Sequence, residues 1–233
     1  MKKYFASIPR IAISISALLP HSARSGSIIG PSADTYITGS SALGGSGSVH
    51  GTETGLYSDR TKLAFPLIRF DLSSFAGLTI TGSPQFLLLV GDGTRNGTTR
   101  QVSIYDVAVP WTEATTFDSF GPSPGLQIGQ DTSASALATV PVVFPQSQVL
   151  YTSWMLPASL VQRWIDNPSS NNGLLVYNNE TTTGSDLSFV AIESHGNVAR
   201  LFVDAVPEPS TFLLGVIGIF AIWRHRSKNE RNG

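Results

Sequence analysis

The 233-residue chain has no cysteine. That excludes a disulfide framework, a thiolate metal site and a cysteine nucleophile, and leaves stability to the core and to any oxygen-bound metal. Charged residues are sparse, with Asp, Glu, Lys and Arg making up 13% of the chain. Histidine is rarer still. Of 4 histidines, His21 and His225 fall in the terminal segments, leaving His50 in a Gly/Ser loop and His195 in an expected hairpin turn. Nothing else in the sequence converges on either one, so a surface or hydrogen-bonded loop histidine is expected and catalysis is not. A long hydrophobic run is also missing. The apolar stretch from Phe212 to Trp223 has 12 residues, where a full membrane span takes about 20.

The two ends of the chain read as addresses. Lys2, Lys3 and Arg10 flank a run that turns apolar from Ile8 and breaks at small residues, Ala23, Ser25 and Gly26. This is the layout of a secretory signal peptide over residues 1–25, with export through the Sec machinery. At the other end, residues 206–233, Val206, Pro207, Glu208, Pro209, Ser210 and Thr211 precede the short apolar helix expected over 212–223. The prolines keep that helix from spreading upstream. The basic stop of residues 224–233 follows, with Arg224, His225, Arg226, Lys228 and Arg231, the charge that is held back when a chain crosses a membrane.

Residues 26–205 then form one domain, long enough for a sizeable core. Only 7 of the 15 Lys and Arg lie there, against 14 of the 16 Asp and Glu, so its net charge is near −7 rather than −1. Seven scattered cations make no phosphate-binding face, and a nucleic-acid partner is not expected.

Within the domain the apolar period is mostly two, punctuated by Gly and Pro. Strands are expected around Ala33, Tyr36 and Ile37; over Lys62 to Phe70, with Pro66 demoting the strand or marking a bulge; at Thr79 and Ile80; over Gln85 to Val90; and around Val102, Ile104 and Tyr105. Further strands are expected over Gly173 to Tyr177, Leu187 to Ile192 and Arg200 to Asp204. One short helix is expected where Leu156, Leu160, Val161 and Trp164 share a side, with Pro157 in its first turn and Asn167-Pro168 ending it. The fold class is therefore all-β, an antiparallel β-sandwich or jelly roll with one short helix.

Two resemblances follow from these residues. Val206 to Thr211, the short apolar helix and the Arg-rich end resemble the PEP-CTERM sorting signal. That resemblance implies transient anchoring in the inner membrane and cleavage near the Pro-Glu-Pro by an exosortase-type membrane protease. Transfer to the cell surface or extracellular matrix would follow. Ala33 to Ile37, Leu67 to Ser74, Val109 to Glu113, Leu160 to Trp164, Asn172 to Leu175, Phe189 to Glu193 and Ala199 to Leu201 resemble, in order, the DNRLRE domain. That family is classed as a carbohydrate-binding module, which implies a non-catalytic sandwich engaging extracellular polysaccharide, acidic polymers such as alginate included. The chain departs from the pattern over Thr115 to Pro145 and near Asn197.

The candidate glycan-binding residues are Trp111, Trp154, Arg95, Arg100 and Lys62, with Arg163 a further cation. Aromatic faces and Arg forks are the groups that hold sugars and carboxylates. Trp164, on the apolar side of the helix, is expected in the core. Asp71 and Glu113 read as turn or cap residues, and the catalytic set is empty. A structural calcium ion is the one cofactor considered. Asp92 to Gly97 bears a faint likeness to a calcium loop, but a hairpin turn suits it better. Two other functions stay open: a structural or adhesive surface protein without specific glycan binding, and a polysaccharide hydrolase or lyase. An aromatic or Arg-lined strip across one sheet face favours binding; a face of Thr, Ser and Asn favours the structural role.

Overall fold

The two-residue period becomes strands in the computed structural model, which describes residues 25–91, 99–121, 123–143, 150–181, 186–194 and 198–207. In chain order they are β1 (Ser25–Ile29), β2 (Pro31–Thr38), β3 (Gly55–Ser58), β4 (Ala64–Phe70), β5 (Leu78–Ile80) and β6 (Gln85–Val90). After these come β7 (Thr99–Asp106), β8 (Ala138–Val143), β9 (Leu150–Met155), β10 (Leu174–Asn178), β11 (Leu187–Val190) and β12 (Arg200–Pro207). One helix, α1 (Ala158–Asp166), lies between β9 and β10.

The strands form two antiparallel sheets. The 7-stranded sheet runs β1-β12-β6-β11-β3, with β5 paired to β12 and β9 to β6; the 5-stranded sheet runs β2-β4-β10-β7-β8. The chain changes sheet repeatedly, so neighbours in space are distant in sequence. Gly26 pairs with Asp204, for example, and joins the two ends of the domain.

Alternation builds the core between the sheets. On β12, Leu201, Val203 and Ala205 turn inward while the residues between them are more exposed. Phe86, Leu88 and Val90 of one sheet meet Ile68, Phe70, Val102, Ile104, Leu174 and Val176 of the other. Each large apolar side chain removed from water there contributes about 1.5–3 kcal/mol. Trp154 is fully buried among them, its ring 5.4 Å from Phe86, and its Nε1 donates across the sandwich to Val102 O at 3.0 Å.

Pro66 marks no bulge. It pairs in register with Tyr36, and the register shift between β2 and β4 falls at Pro31/Ala33 instead. The β4–β10 ladder consists of Ile68 with Leu174 and Leu67 with Leu175, and so stops one residue short of Pro66. A residue without an N–H cannot extend it.

The helix closes one end of the sandwich. Leu160, Val161, Trp164 and Ile165 are buried, and Gln162 works as a strand partner: its Oε1 accepts from Ile80 N at 2.8 Å and its Nε2 donates to Leu78 O at 3.1 Å. Among the described residues no helix is long and apolar enough to cross a membrane. The expected signal peptide and the residues after Pro207 lie outside the described residues. Val206 and Pro207, the start of the tail motif, are the last residues of β12 and pair with Thr79 and Leu78. The folded unit thus runs two residues beyond the expected boundary at 205.

Candidate functional site

The outer face of the 5-stranded sheet is divided. One half is roofed by the segment after β7: Trp111, Phe117, Phe120 and Leu126 pack on Ala33, Ile37, Phe65, Leu67 and Leu175 in a second apolar cluster. The other half is open and carries the exposed side chains of Thr99, Gln101, Thr139 and Pro141.

An aromatic strip stands where roof and open face meet. The rings of Phe65 and Tyr177 stack at 5.7 Å and 6°, and Tyr105 meets Tyr177 edge-on at 5.9 Å and 81°. Tyr105 and Tyr177 are half-buried, so each keeps an accessible surface. The Arg60 guanidinium lies 5.8 Å from the Tyr177 ring centre, and Lys62 sits in the same turn with its Nζ 3.4 Å from Asp59. Beside the strip, Asn179 Nδ2 donates to Ser103 Oγ at 2.9 Å, and that oxygen lies 2.7 Å from Thr139 Oγ1. The result is a patch with aromatic faces, the cations Arg60 and Lys62 in one turn, and a row of amide and hydroxyl groups.

The residues expected to bind glycan are largely placed elsewhere. Trp154 is core. Trp111 is 3% exposed and holds the roof, donating from Nε1 to Asn172 O at 2.6 Å under the Arg69 guanidinium. Both are corrections, and the physical cause is the same: a large ring is worth more buried than exposed, provided its N–H finds an acceptor. Arg100 pairs with Val142 on β8, on the side of β7 that faces the core, and its Nε is buried, so it does not join the strip. Arg163 is paired with Asp106. Lys62 alone stands near the strip, and Arg95 lies outside the described residues. Trp164 is core as expected. The residues that sequence reasoning missed are Arg60, Tyr105 and Tyr177. The strands of Tyr105 and Tyr177 were legible, but which face the roof leaves open was not, and Arg60 sits in a turn that the sequence does not single out.

The histidine and the acids make a separate group at the edge beside β2. His50 is a buried, hydrogen-bonded loop residue, stacked on Tyr36 at 4.1 Å with Nδ1 2.6 Å from Glu53 Oε1. Tyr36 OH donates to Glu53 Oε2 at 2.9 Å, and burial together with that contact raises its pKa. Asp34 is pushed up to about 7, chiefly by burial and further by Glu193 and Glu113, against the pull of its hydrogen bond from Ile192 N. Asp71 is a turn residue: its carboxylate accepts from Ser73 N, which lowers its pKa. Glycines stand two residues either side of Ser123, the spacing of a nucleophile elbow, but Ser123 lies among bends with no strand before it or helix after it.

Among the described residues, two open cavities are the most defined. One of about 400 Å³ is lined by Ser32, Arg69, Asp71, Trp164 and Asn171, the other, of about 500 Å³, by Ile28, Ile29, Ser74, Phe75 and Leu78. Neither brings a carboxyl pair together. Among the described residues no three His, Asp or Glu side chains gather into a metal cage, and Asp92 to Gly97 lie outside them.

Two antiparallel sheets around a common core, with an accessible aromatic patch on one outer face, define an all-β sandwich protein. No protein-family model matches the chain, and no curated protein matches it.

Proposed function

We propose that the chain is an exported, non-catalytic surface protein whose sandwich, of the jelly-roll type, binds extracellular polysaccharide on the open half of its 5-stranded sheet. The observation that carries this reading is the strip of Tyr105 and Tyr177 with Arg60 beside it. Sugar rings pack their C–H faces on aromatic rings, and the adjoining Gln101, Thr139 and Asn179 supply hydrogen-bonding partners for hydroxyls. Arg60 suits a carboxylate on an acidic polymer. The resemblance to the DNRLRE domain supports the same reading. A non-catalytic role is supported by the acids themselves: Asp34, the group most displaced toward acid catalysis, is 1% exposed and lies away from both cavities.

For location, the resemblance of residues 206–233 to a PEP-CTERM signal supports export, transient anchoring and release to the surface or matrix by an exosortase-type protease. Because Val206 and Pro207 pair with β5, cleavage beyond Pro207 leaves the folded unit whole.

Affinity electrophoresis through gels containing acidic or neutral polysaccharides tests the binding. The wild-type chain is expected to be retained, with Tyr177→Ala weakening retention about fivefold to tenfold, the value of an aromatic contact of roughly 1–1.5 kcal/mol. Arg60→Gln should weaken retention on acidic gels only. No retention of the wild type on any gel overturns the reading in favour of a structural or adhesive surface protein. For the tail, an intact peptide running through Trp223 to Gly233 in the mature native protein overturns the sorting reading.

A further inference from the structure

The cavity of about 400 Å³ beside the end of β4 shares no residue with the aromatic strip, and its volume lies in the range of small-molecule sites, roughly 300–1,000 Å³. Opposite charges line it without pairing. The Arg69 guanidinium lies over the Trp111 ring and donates one N–H to Trp111 O at 3.4 Å, and it has no carboxylate partner among the described residues. Asp71, two residues on, accepts from Ser73 N at 2.9 Å, which lowers its pKa. Two further lining residues have unmet polar atoms. Trp164 is 1% exposed and its Nε1 has no acceptor. Asn171 is held by its Nδ2, which donates to Phe70 O at 2.8 Å, and its Oδ1 is buried without a donor. Ser32, also on the wall, falls at the register shift between Pro31 and Ala33, the kind of irregularity that re-aims a side chain.

Buried polar atoms in folded proteins nearly always have partners, so an unmet donor and an unmet acceptor on one cavity point to an occupant that carries the complement. We propose that this cavity binds a free α-amino acid, with its carboxylate on the Arg69 guanidinium and its ammonium on the Asp71 carboxylate. The bound molecule also completes the partners of Trp164 Nε1 and Asn171 Oδ1. A guanidinium presents its N–H groups as a fork that matches the two oxygens of a carboxylate. An ammonium has three donors and no acceptor, which suits a carboxylate with an amide oxygen close by. A plain anion meets the repulsion of Asp71 and a plain cation that of Arg69, so the two charges together select a zwitterion. The proposal goes beyond polysaccharide binding and does not depend on it.

Nuclear magnetic resonance of the full-length chain, isotope-labelled at its tryptophan nitrogens and titrated with the standard L-amino acids one at a time, tests it. At least one of them is expected to shift the indole N–H signal of Trp164 saturably, with a Kd of about 10⁻⁵–10⁻³ M. Propionate and ethylamine, which carry a single charge each, should bind about tenfold more weakly or less. Asp71→Asn still accepts from Ser73 N but lacks the charge, and it should weaken binding about tenfold, as should Arg69→Gln. Tyr177→Ala, on the aromatic strip, should leave it unchanged. Absence of a saturable shift at Trp164 with every amino acid up to about 10 mM overturns the proposal. So does propionate or ethylamine binding as tightly as the amino acid, or undiminished binding in Asp71→Asn. Should Arg69→Gln fail to fold, Asp71→Asn decides, because Asp71 is exposed and its turn is kept.

Discussion

Asp34 shows how a single position acquires properties that its neighbours in sequence do not suggest. Its carboxyl belongs to β2, but burial and two distant glutamates set its ionisation. Its pKa rises from 3.8 to about 7 on folding, so the folded state binds the proton more tightly than the unfolded state. Stability with respect to this group is therefore highest at low pH and falls as pH rises from about 3.8 to about 7. Denaturant titrations between those limits should show that slope, and Asp34→Asn should flatten it. Gly173 is a second position with a single solution. Its φ is +76°, and a Cβ there would lie 2.2 Å from Ile68 O, so Gly173→Ala combines backbone strain with a collision against β4. A loss of more than about 1 kcal/mol is expected in equilibrium unfolding.

At the scale of elements, α1 is the clearest case of a segment whose form is local and whose task is not. Its apolar spacing and the Asn-Pro after it predict a short helix with Leu156 on its apolar side and Pro157 in its first turn; the helix observed is Ala158–Asp166, with Pro157 as its N-cap and Leu156 buried just before it. The period could not show that Gln162 satisfies two backbone groups of β5. Gln162→Leu keeps the helix but leaves Ile80 N and Leu78 O without their partner, and chemical denaturation should register a cost of about 1–3 kcal/mol. Strands differ in legibility for related reasons. β6 declares itself as a continuous apolar run and was expected residue for residue over Gln85 to Val90. β3, Gly-Leu-Tyr-Ser, is too short and too mixed to stand out, and β8 carries Pro141 in a stretch where no strand was expected. β8 tolerates that proline because it is an edge strand, a property of topology rather than of local sequence.

At the scale of the whole molecule, the first and last described strands lie side by side, and β12 is also held by β5 and β6. A chain ending at Pro207 should therefore unfold at the same temperature as the full chain. One ending at Asp204 gives up the pairing of Ala205 to Pro207 with β5 and should unfold several degrees lower by calorimetry. That contrast measures whether the residues after Pro207 can be removed without cost to the fold.

What the sequence determined by itself is whatever depends on neighbours along the chain. The alternation of Leu201, Val203 and Ala205, the place of the helix, the lack of any thiol and the acid excess of the domain are all of this kind. Which aromatic rings are accessible was decided by the tertiary structure. Trp111 and Trp154 are spelled no differently from surface tryptophans, and they are buried because Asn172 O and Val102 O, far away in the chain, accept their N–H groups. Tyr105 and Tyr177 stay partly open for a matching reason: they pack against the margin of the cluster that the segment after β7 completes, rather than inside it. Burial is a sum over contacts between segments that only folding brings together, and no local pattern contains that sum.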